Sequence, residues 1–351
     1  MDFHNTIETY RTQINIALEQ FFQQLNKQNK NSDNQRFIDI MREFTMRKGK
    51  RLRPILVIIG FKAFKKDATE QELQQIIQIA LTTELLESFF LIHDDIIDNS
   101  DLRRGKLTVH KQFEQHYNKL TSQSLALLVG DLVACYAQQP IINSNLPPIT
   151  KNCLLHKVQQ IMAQTTFGQI QDLLLLQKGI TQVMEEDILM MYQEKTARYT
   201  IEGPLYLGAI AANASQQQLN KLSKISLPLG IAFQLRDDIL GLFGTVEKIG
   251  KPIDSDIKEG KKTILMLKAL EHSSLKDRKY ILSKLGNPRL RMNDIVKIRQ
   301  IVIDTQSLTY SQQLIHKLLS EAKSSINSID MAEDSKQFLI VLSNYIGERE
   351  Q

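Results

Sequence analysis

Three carboxylates close an apolar run in ELLESFFLIHDDIIDNSDLRRG, Glu84 to Gly105: Asp94, Asp95 and Asp98. On a helix, Asp94 and Asp98 stand one above the other and Asp95 is turned by about 100°. Such a group repels itself and loses hydration unless positive charge sits among it. A hard divalent cation suits it, because the side-chain ligands are all oxygens and no His/Cys cluster is present. Mg²⁺ commonly takes one or two carboxylates together with substrate phosphate. Taken alone, an acidic helix end also suits a solvated turn. A second acidic pair, Asp237 and Asp238 in FQLRDDILG, follows another apolar run roughly 140 residues later. Cationic stretches accompany both: KGKRLRP at Lys48–Pro54, Lys195-Thr196, and GKPIDSDIKEGKK at Gly250–Lys262. Carboxylate sets brought together by facing helices, with lysines and arginines around them, suit a polyphosphate held through metal bridges. They do not suit a nucleic-acid surface, where carboxylates repel phosphate.

The elements that must position these groups read as helices. Apolar residues at helical spacing (Ile7, Tyr10, Ile14, Leu18, Phe21, Phe22, Leu25) predict a helix over 3–26, and the pattern resumes from Arg36 to Thr45. Pro54 fits the first turn of a helix running to about Phe64. Glu70–His93 reads as one helix, 99–108 as a loop, 110–117 as a short helix and 122–139 as an apolar one. Two long runs follow over 151–178 and 182–215, the second kinked near Gly203-Pro204, since proline removes a ladder bond. Ser226–Leu240 carries the second acidic pair, and the glycine- and lysine-rich 241–262 reads as an active-site flap. Ser274 and Asp277 cap a helix that ends at Gly286-Asn287-Pro288, and further helices fit 293–304, 307–326 and 333–346. No alternating strand pattern, Walker motif or GxGxxG is present.

The 351 residues, 42% hydrophobic, suffice for a sizeable core, and no linker divides them, so one all-α domain over 1–351 is expected. A net charge of +5, from 44 basic against 39 acidic residues, gives no case for nucleic-acid binding. Cys135 and Cys153 lack metal-ligand spacing and point to a reducing compartment. MDFHNTIETYRTQ lacks a secretory pattern and no stretch reaches 18 consecutive apolar residues, so a cytoplasmic protein with no transmembrane segment is expected.

These motifs resemble the trans-polyprenyl (isoprenyl) diphosphate synthase family, short-chain type. The likeness is carried by GKRLRP at 49–54, DDIID at 94–98 with RRG at 103–105, GQIQD at 168–172, YQEKT at 192–196, FQLRDD at 233–238 and GKPIDSDIKEGKKT at 250–263. The resemblance implies an isoprenoid-synthase-like helical bundle around a deep central cavity, usually a homodimer. It also implies condensation of isopentenyl diphosphate with an allylic diphosphate, using Mg²⁺, three ions with the allylic diphosphate bound. Asp94, Asp98 and Asp237 then resemble the magnesium-binding carboxylates, with Asp95 and Asp238 supporting them or ligating through water. Lys195, Lys261 and Arg103 resemble the groups that neutralise the departing diphosphate. Lys50, Arg51 and Arg104 resemble the isopentenyl diphosphate pocket, and Thr196 and Gln234 would place oxygen dipoles near a developing cation. Asp172 can cap or pair within a helix instead of approaching metal, His93 can be an ordinary packed histidine, and Asp256 is expected to hold the flap.

Two departures stand out. Gly241 occupies the place of a third aspartate in many relatives, and Glu87 stands where many carry His or Gln in the isopentenyl diphosphate pocket. A carboxylate beside a diphosphate is repulsive unless neutralised, so Glu87 is expected to pair with Arg51 or a nearby base, or to turn away. Phe89 and Phe90, about one helical turn before Asp94, are expected to floor the product cavity at C15 or C20. Competing readings are a medium- or long-chain synthase, a non-catalytic partner subunit of a heteromer, and a terpene cyclase or head-to-head synthase. The last has no reason to keep KGKRLRP.

Overall fold

A computed structural model describes residues 3–244 and 255–348. In chain order the helices are α1 (Phe3–Gln28), α2 (Ser32–Thr45), α3 (Leu52–Phe64) and α4 (Glu70–Ile97). Then come β1 (Leu102–Arg103), β2 (Lys106–Leu107), α5 (Val109–Phe113), α6 (Lys119–Tyr136), α7 (Gln139–Ile142), α8 (Pro148–Gln177) and α9 (Glu185–Tyr192). A π-helical segment (Gln193–Glu202) leads into α10 (Gly203–Ala211), and α11 (Gln216–Phe243), α12 (Ser255–Glu259) and α13 (Ile264–His272) follow. Helices over Leu275–Lys284, Met292–Asp304, Ser307–Asn327 and Glu333–Glu348 complete the described chain. The all-α fold class is as expected. The hairpin inside 99–108 is a correction, since two-residue strands are too short to show alternation. Residues 245–254, with Lys251 and the middle of the expected flap, lie outside the described residues.

The chain clusters into two compact units, each drawn from separated stretches. The first takes Met1–Gln159, Gly203–Leu219 and Asp330–Phe338. Its centre is α3, apolar on every side and buried from Pro54 to Phe61. Backbone meets backbone where α3 passes α10: a Cβ added at Gly60 would lie 2.3 Å from the Leu205 carbonyl oxygen, and one at Gly208 2.0 Å from that of Val57. The late segment closes on the same helix, as the Ala332 N–H donates to the Ala63 carbonyl at 2.8 Å and the Ser335 hydroxyl to that of Ile59 at 3.3 Å. Capping sets two helix starts. Asn31 Oδ1 accepts from the N–H groups of Asp33 and Asn34, which begins α2 at Ser32, before the apolar spacing starts. Thr69 and Glu72 form a reciprocal capping box that opens α4.

By length and composition, Glu70–Ile97 and Lys119–Ile142 are apolar enough to cross a membrane, although polar residues interrupt any run of 18. In α4, 67% of that window is buried inside the protein, which is how a core helix reads. The second stretch keeps Leu120, Leu127, Leu128 and Leu132 exposed.

The second unit takes Gln160–Glu202, Asn220–Ile329 and Leu339–Gln351. The kink expected at Gly203-Pro204 takes the form of the π segment: Pro204 offers no N–H, and the turns before it widen. Two glycines lock this segment in place. A Cβ at Gly168 of α8 would lie 2.3 Å from the Lys195 nitrogen, and one at Gly230 of α11 2.4 Å from the Ala197 Cα. Arg198 ties the segment along its length, pairing with Glu194 at 2.8 Å and Glu202 at 3.1 Å.

Candidate active site

In the first unit, α4 carries the acidic motif to its own C-terminal end. Asp98 is the cap, its N–H donating to the Asp94 carbonyl at 2.8 Å, and no basic residue occupies the last turn. Carboxylates at the negative end of a helix dipole are doubly disfavoured, so the end must recruit cations from elsewhere. One comes from the hairpin. Arg103 of β1 is buried and donates through Nε to Asp95 Oδ1 at 2.8 Å, and its Nη2 lies 3.5 Å from Asp94 Oδ2. Burial opposes the Arg103 charge, yet Asp95 first, then Asp94 and Asp98, raise its pKa above the ordinary arginine value. Asp95, fully buried, is thus taken up by Arg103, while Asp94 and Asp98 remain half-buried.

The hairpin turn explains the RRG spelling. Arg104 (φ 54°) and Gly105 (φ 77°) are both left-handed, as a two-residue turn of mirror-image type requires. This turn sends Arg103 toward the aspartates and Arg104 toward Glu87. Arg47, which sequence reasoning missed, pins the hairpin by donating to the carbonyls of Arg103 (3.2 Å) and Leu107 (2.8 Å).

The residues of KGKRLRP divide in a way the spelling does not announce. Arg51, expected in the isopentenyl diphosphate pocket, is buried in the left-handed conformation (φ 52°) ahead of α3. Its guanidinium is in direct contact with Glu84, and its Nε donates to Asn15 Oδ1 at 2.9 Å. Burial and the charge of Glu87 push the Glu84 carboxyl up despite that contact. Arg53 instead stands with Arg104 on Glu87, at 3.1 and 2.8 Å from the same oxygen, Oε1. Of the outcomes expected for Glu87, pairing with a nearby base is realised, but the bases are Arg53 and Arg104. Burial would raise its pKa; Arg53 and Arg104 outweigh that and hold it below the ordinary carboxylate value. Lys50 is exposed.

Phe89 and Phe90 are half-buried with ring centroids 4.8 Å apart. Phe89 also meets the His93 ring at 4.7 Å, and His93 Nε2 lies 3.1 Å from the Leu127 carbonyl of α6. His93 is thus a packed residue, and Gly130 leaves it room, since a Cβ there would fall 2.4 Å from Nε2.

In the second unit, GQIQD acquires a physical meaning. Gly168 admits the backbone of the π segment, and buried Asp172, one turn on, holds the Lys195 ammonium at 2.6 Å. A hydrogen-bonded chain runs beside it. The Thr196 hydroxyl donates to Gln234 Oε1 at 2.7 Å, and Gln234 Nε2 donates to Asp238 Oδ1 at 2.8 Å. Buried Tyr192 donates to the other Asp238 oxygen and accepts the Ile264 N–H at 3.3 Å. Tyr192 escaped sequence reasoning; its only signal was the aromatic letter opening YQEKT. Burial, then Asp256, then Asp237 push the Asp238 carboxyl up to about 8. Asp237 is half-buried next to it. The space beside bare Gly241 is not idle, because a Cβ there would lie 2.8 Å from Asp256 Oδ2. Lys261 pairs with Glu259 at 2.8 Å and lines a small cavity with Asp238, Gly241, Asp256 and Thr263.

Among the described residues, no three His, Cys, Asp or Glu side chains converge as a ready-made metal cage. Arg103 holds Asp95, and Tyr192 with Gln234 holds Asp238. The donor set still fits Mg²⁺, which keeps several waters and needs only one or two carboxylates beside substrate phosphates. Asp94 and Asp98 supply hard oxygens at the C-terminal end of α4, whose last turn holds no basic residue, and Asp237 supplies them next to Asp238.

Comparison with known proteins follows the same lines. A family model described as polyprenyl synthetase matches residues 34–302. A geranylgeranyl diphosphate synthase of Saccharolobus solfataricus is 32% identical over 292 residues, 82% of each chain. A short chain isoprenyl diphosphate synthase of Methanocaldococcus jannaschii is 33% identical over 258 residues, 72% of each. The crystal structure of a geranylgeranyl pyrophosphate synthase from Corynebacterium glutamicum, complexed with isoprenyl diphosphate and magnesium, superposes with a TM-score of 0.90. It is 28% identical, and the match covers 99% of this chain and all of that one.

Proposed function

The chain belongs to the polyprenyl synthetase family, and on that premise we propose that residues 1–351 act as one synthase domain making farnesyl or geranylgeranyl diphosphate. The enzyme is a magnesium-dependent trans-prenyltransferase that joins isopentenyl diphosphate to an allylic diphosphate. The observation that carries the reading is the division of α4 into two sites of opposite character. Around Glu87, Arg53 and Arg104 gather guanidinium groups suited to a diphosphate without metal. Seven residues on, about 10 Å along the axis, Asp94 and Asp98 offer carboxylates suited to one that arrives with metal.

Mg²⁺, which we put at three ions with the allylic diphosphate, would be held by Asp94, Asp98 and Asp237 and would draw charge off the diphosphate as its C–O bond ionises. Lys195, restrained by Asp172, and Lys261 neutralise the departing diphosphate. Arg103 keeps Asp95 paired, and so holds the helix end in shape. Thr196 and Gln234, fixed by the chain to Asp238 and Tyr192, direct dipoles toward the allylic cation. Lys50, Arg53 and Arg104 orient isopentenyl diphosphate, the pocket role passing from Arg51 to Arg53. Its double bond attacks the cation, a carbon–carbon bond forms, and the proton lost goes to the released diphosphate.

Phe89 and Phe90 support a short product, since a chain anchored at Asp94 meets an aromatic pair one turn away. The exposed leucines of α6 support a homodimer in which a second copy covers them. Free thiols at Cys135 and Cys153 fit a cytoplasmic setting. Purified protein incubated with Mg²⁺, labelled isopentenyl diphosphate and dimethylallyl, geranyl or farnesyl diphosphate should yield C15 or C20 diphosphates on sizing. No product with any primer would overturn the enzyme, and products beyond C20 would overturn the short-chain reading.

A further inference from the structure

Glu87 uses one oxygen, Oε1, to hold two guanidinium groups from different elements: Arg53 in the first turn of α3 and Arg104 at the hairpin turn. The arrangement is built for it. Arg104 sits in a left-handed conformation that non-glycine residues rarely adopt. Its guanidinium lies over Gly49, where a Cβ would come within 3.1 Å of Nη1. Its Nη1 also donates to the Arg47 carbonyl at 3.4 Å. The Glu87 side chain is only 13% exposed, so the pair is shielded from water and salt.

We propose that Glu87 is a built-in competitor for the diphosphate of isopentenyl diphosphate: its carboxylate occupies, in the free chain, the guanidinium fork that the substrate must take. The proposal rests on the reading of this cradle as the isopentenyl diphosphate pocket. With Glu87 ionised, Arg53 and Arg104 present one net positive charge instead of two, and the incoming anion must displace a carboxylate already in hydrogen-bond contact. Affinity for the homoallylic substrate is thereby set lower than the arginines alone would give. Glu87 is a specificity-setting residue that acts through Arg53 and Arg104 and takes no part in bond making.

The test is calorimetric titration of the full-length chain and of Glu87→Gln with isopentenyl diphosphate and, separately, with inorganic pyrophosphate, without metal and at two ionic strengths. Glu87→Gln should bind both about tenfold more tightly, with a steeper loss of affinity as salt rises, because the cradle gains a unit of net positive charge. In steady state the change should fall on the KM of isopentenyl diphosphate and leave that of the allylic substrate in place. Unchanged or weaker binding by Glu87→Gln, or an unchanged salt slope, would overturn the proposal. Pyrophosphate reads the cradle without the reaction: a wild-type chain that binds pyrophosphate but neither binds nor condenses isopentenyl diphosphate would overturn the proposed function instead.

Discussion

Arg51 and Glu84 form an ion pair in which both side chains are 2% exposed. Removing one member of such a pair leaves an uncompensated buried charge, at a cost of about 3–5 kcal/mol. Arg51→Met should therefore lower the urea midpoint markedly, whereas Arg53→Met leaves Glu87 paired with Arg104, so it should lower the midpoint less and raise the KM for isopentenyl diphosphate. The reverse pattern would return Arg51 to the pocket.

Asp94→Ala and Asp237→Ala should each lower turnover by about 10²–10⁴, because they remove charge stabilisation made mostly in the transition state. Far-UV circular dichroism should stay that of the parent. Asp95→Ala should behave differently, losing thermal stability as well as activity, because it strands the buried Arg103 guanidinium. Near-full activity in both Asp94→Ala and Asp237→Ala would remove their assigned roles.

Product length should respond to Phe89→Ala, Phe90→Ala or both together. At least one of the three variants should shift the products beyond C20 by opening space one turn from Asp94. An unchanged distribution in all three would place the cavity floor elsewhere. Phe89 rests on His93, which α6 holds in turn, so a shift in Phe89→Ala would also show that His93 does not close the gap.

His110 supplies a pH test. It is fully buried, with Nδ1 3.3 Å from the Thr108 hydroxyl and Nε2 without a hydrogen-bond partner. Burial first, then the charge of Lys111, lower its pKa below the ordinary 6.5, against the opposing pull of Glu114 and Asp101. Below 6.5 the unfolded chain takes up a proton that the native chain refuses, so stability falls as pH drops through that value. The urea midpoint should rise between about pH 5 and pH 7, and this slope should shrink in His110→Gln. An equal slope in the variant would assign the titration to another group.

Much of this was legible in the chain because periodicity and caps are local. Helix spacing located α1, α3, α8 and the C-terminal helices to within a few residues, and Ser274 caps the helix it was expected to cap, accepting from the Asp277 N–H at 3.1 Å. What escaped depends on direction or distance. Arg51 and Arg53 are two letters apart in one basic motif, and only the left-handed turn at Arg51 sends one inward and the other toward Glu87. Tyr192 reaches Asp238 across 46 residues, a contact that no window of sequence can display. The hairpin went unseen because each strand is two residues long.

The contact between α3 and α10 has a consequence for the order of synthesis. The unit holding the first acidic motif draws on residues 203–219 and 330–338 as well as 1–159. A ribosome adding roughly 5–20 residues per second releases Asp94 well before Gly208 exists to meet Gly60, and before Ala332 can bond Ala63. Until then α3, apolar all round, has no lasting cover on the sides those segments occupy. The early half of the chain must wait, partly open on those sides, for the late half to be made.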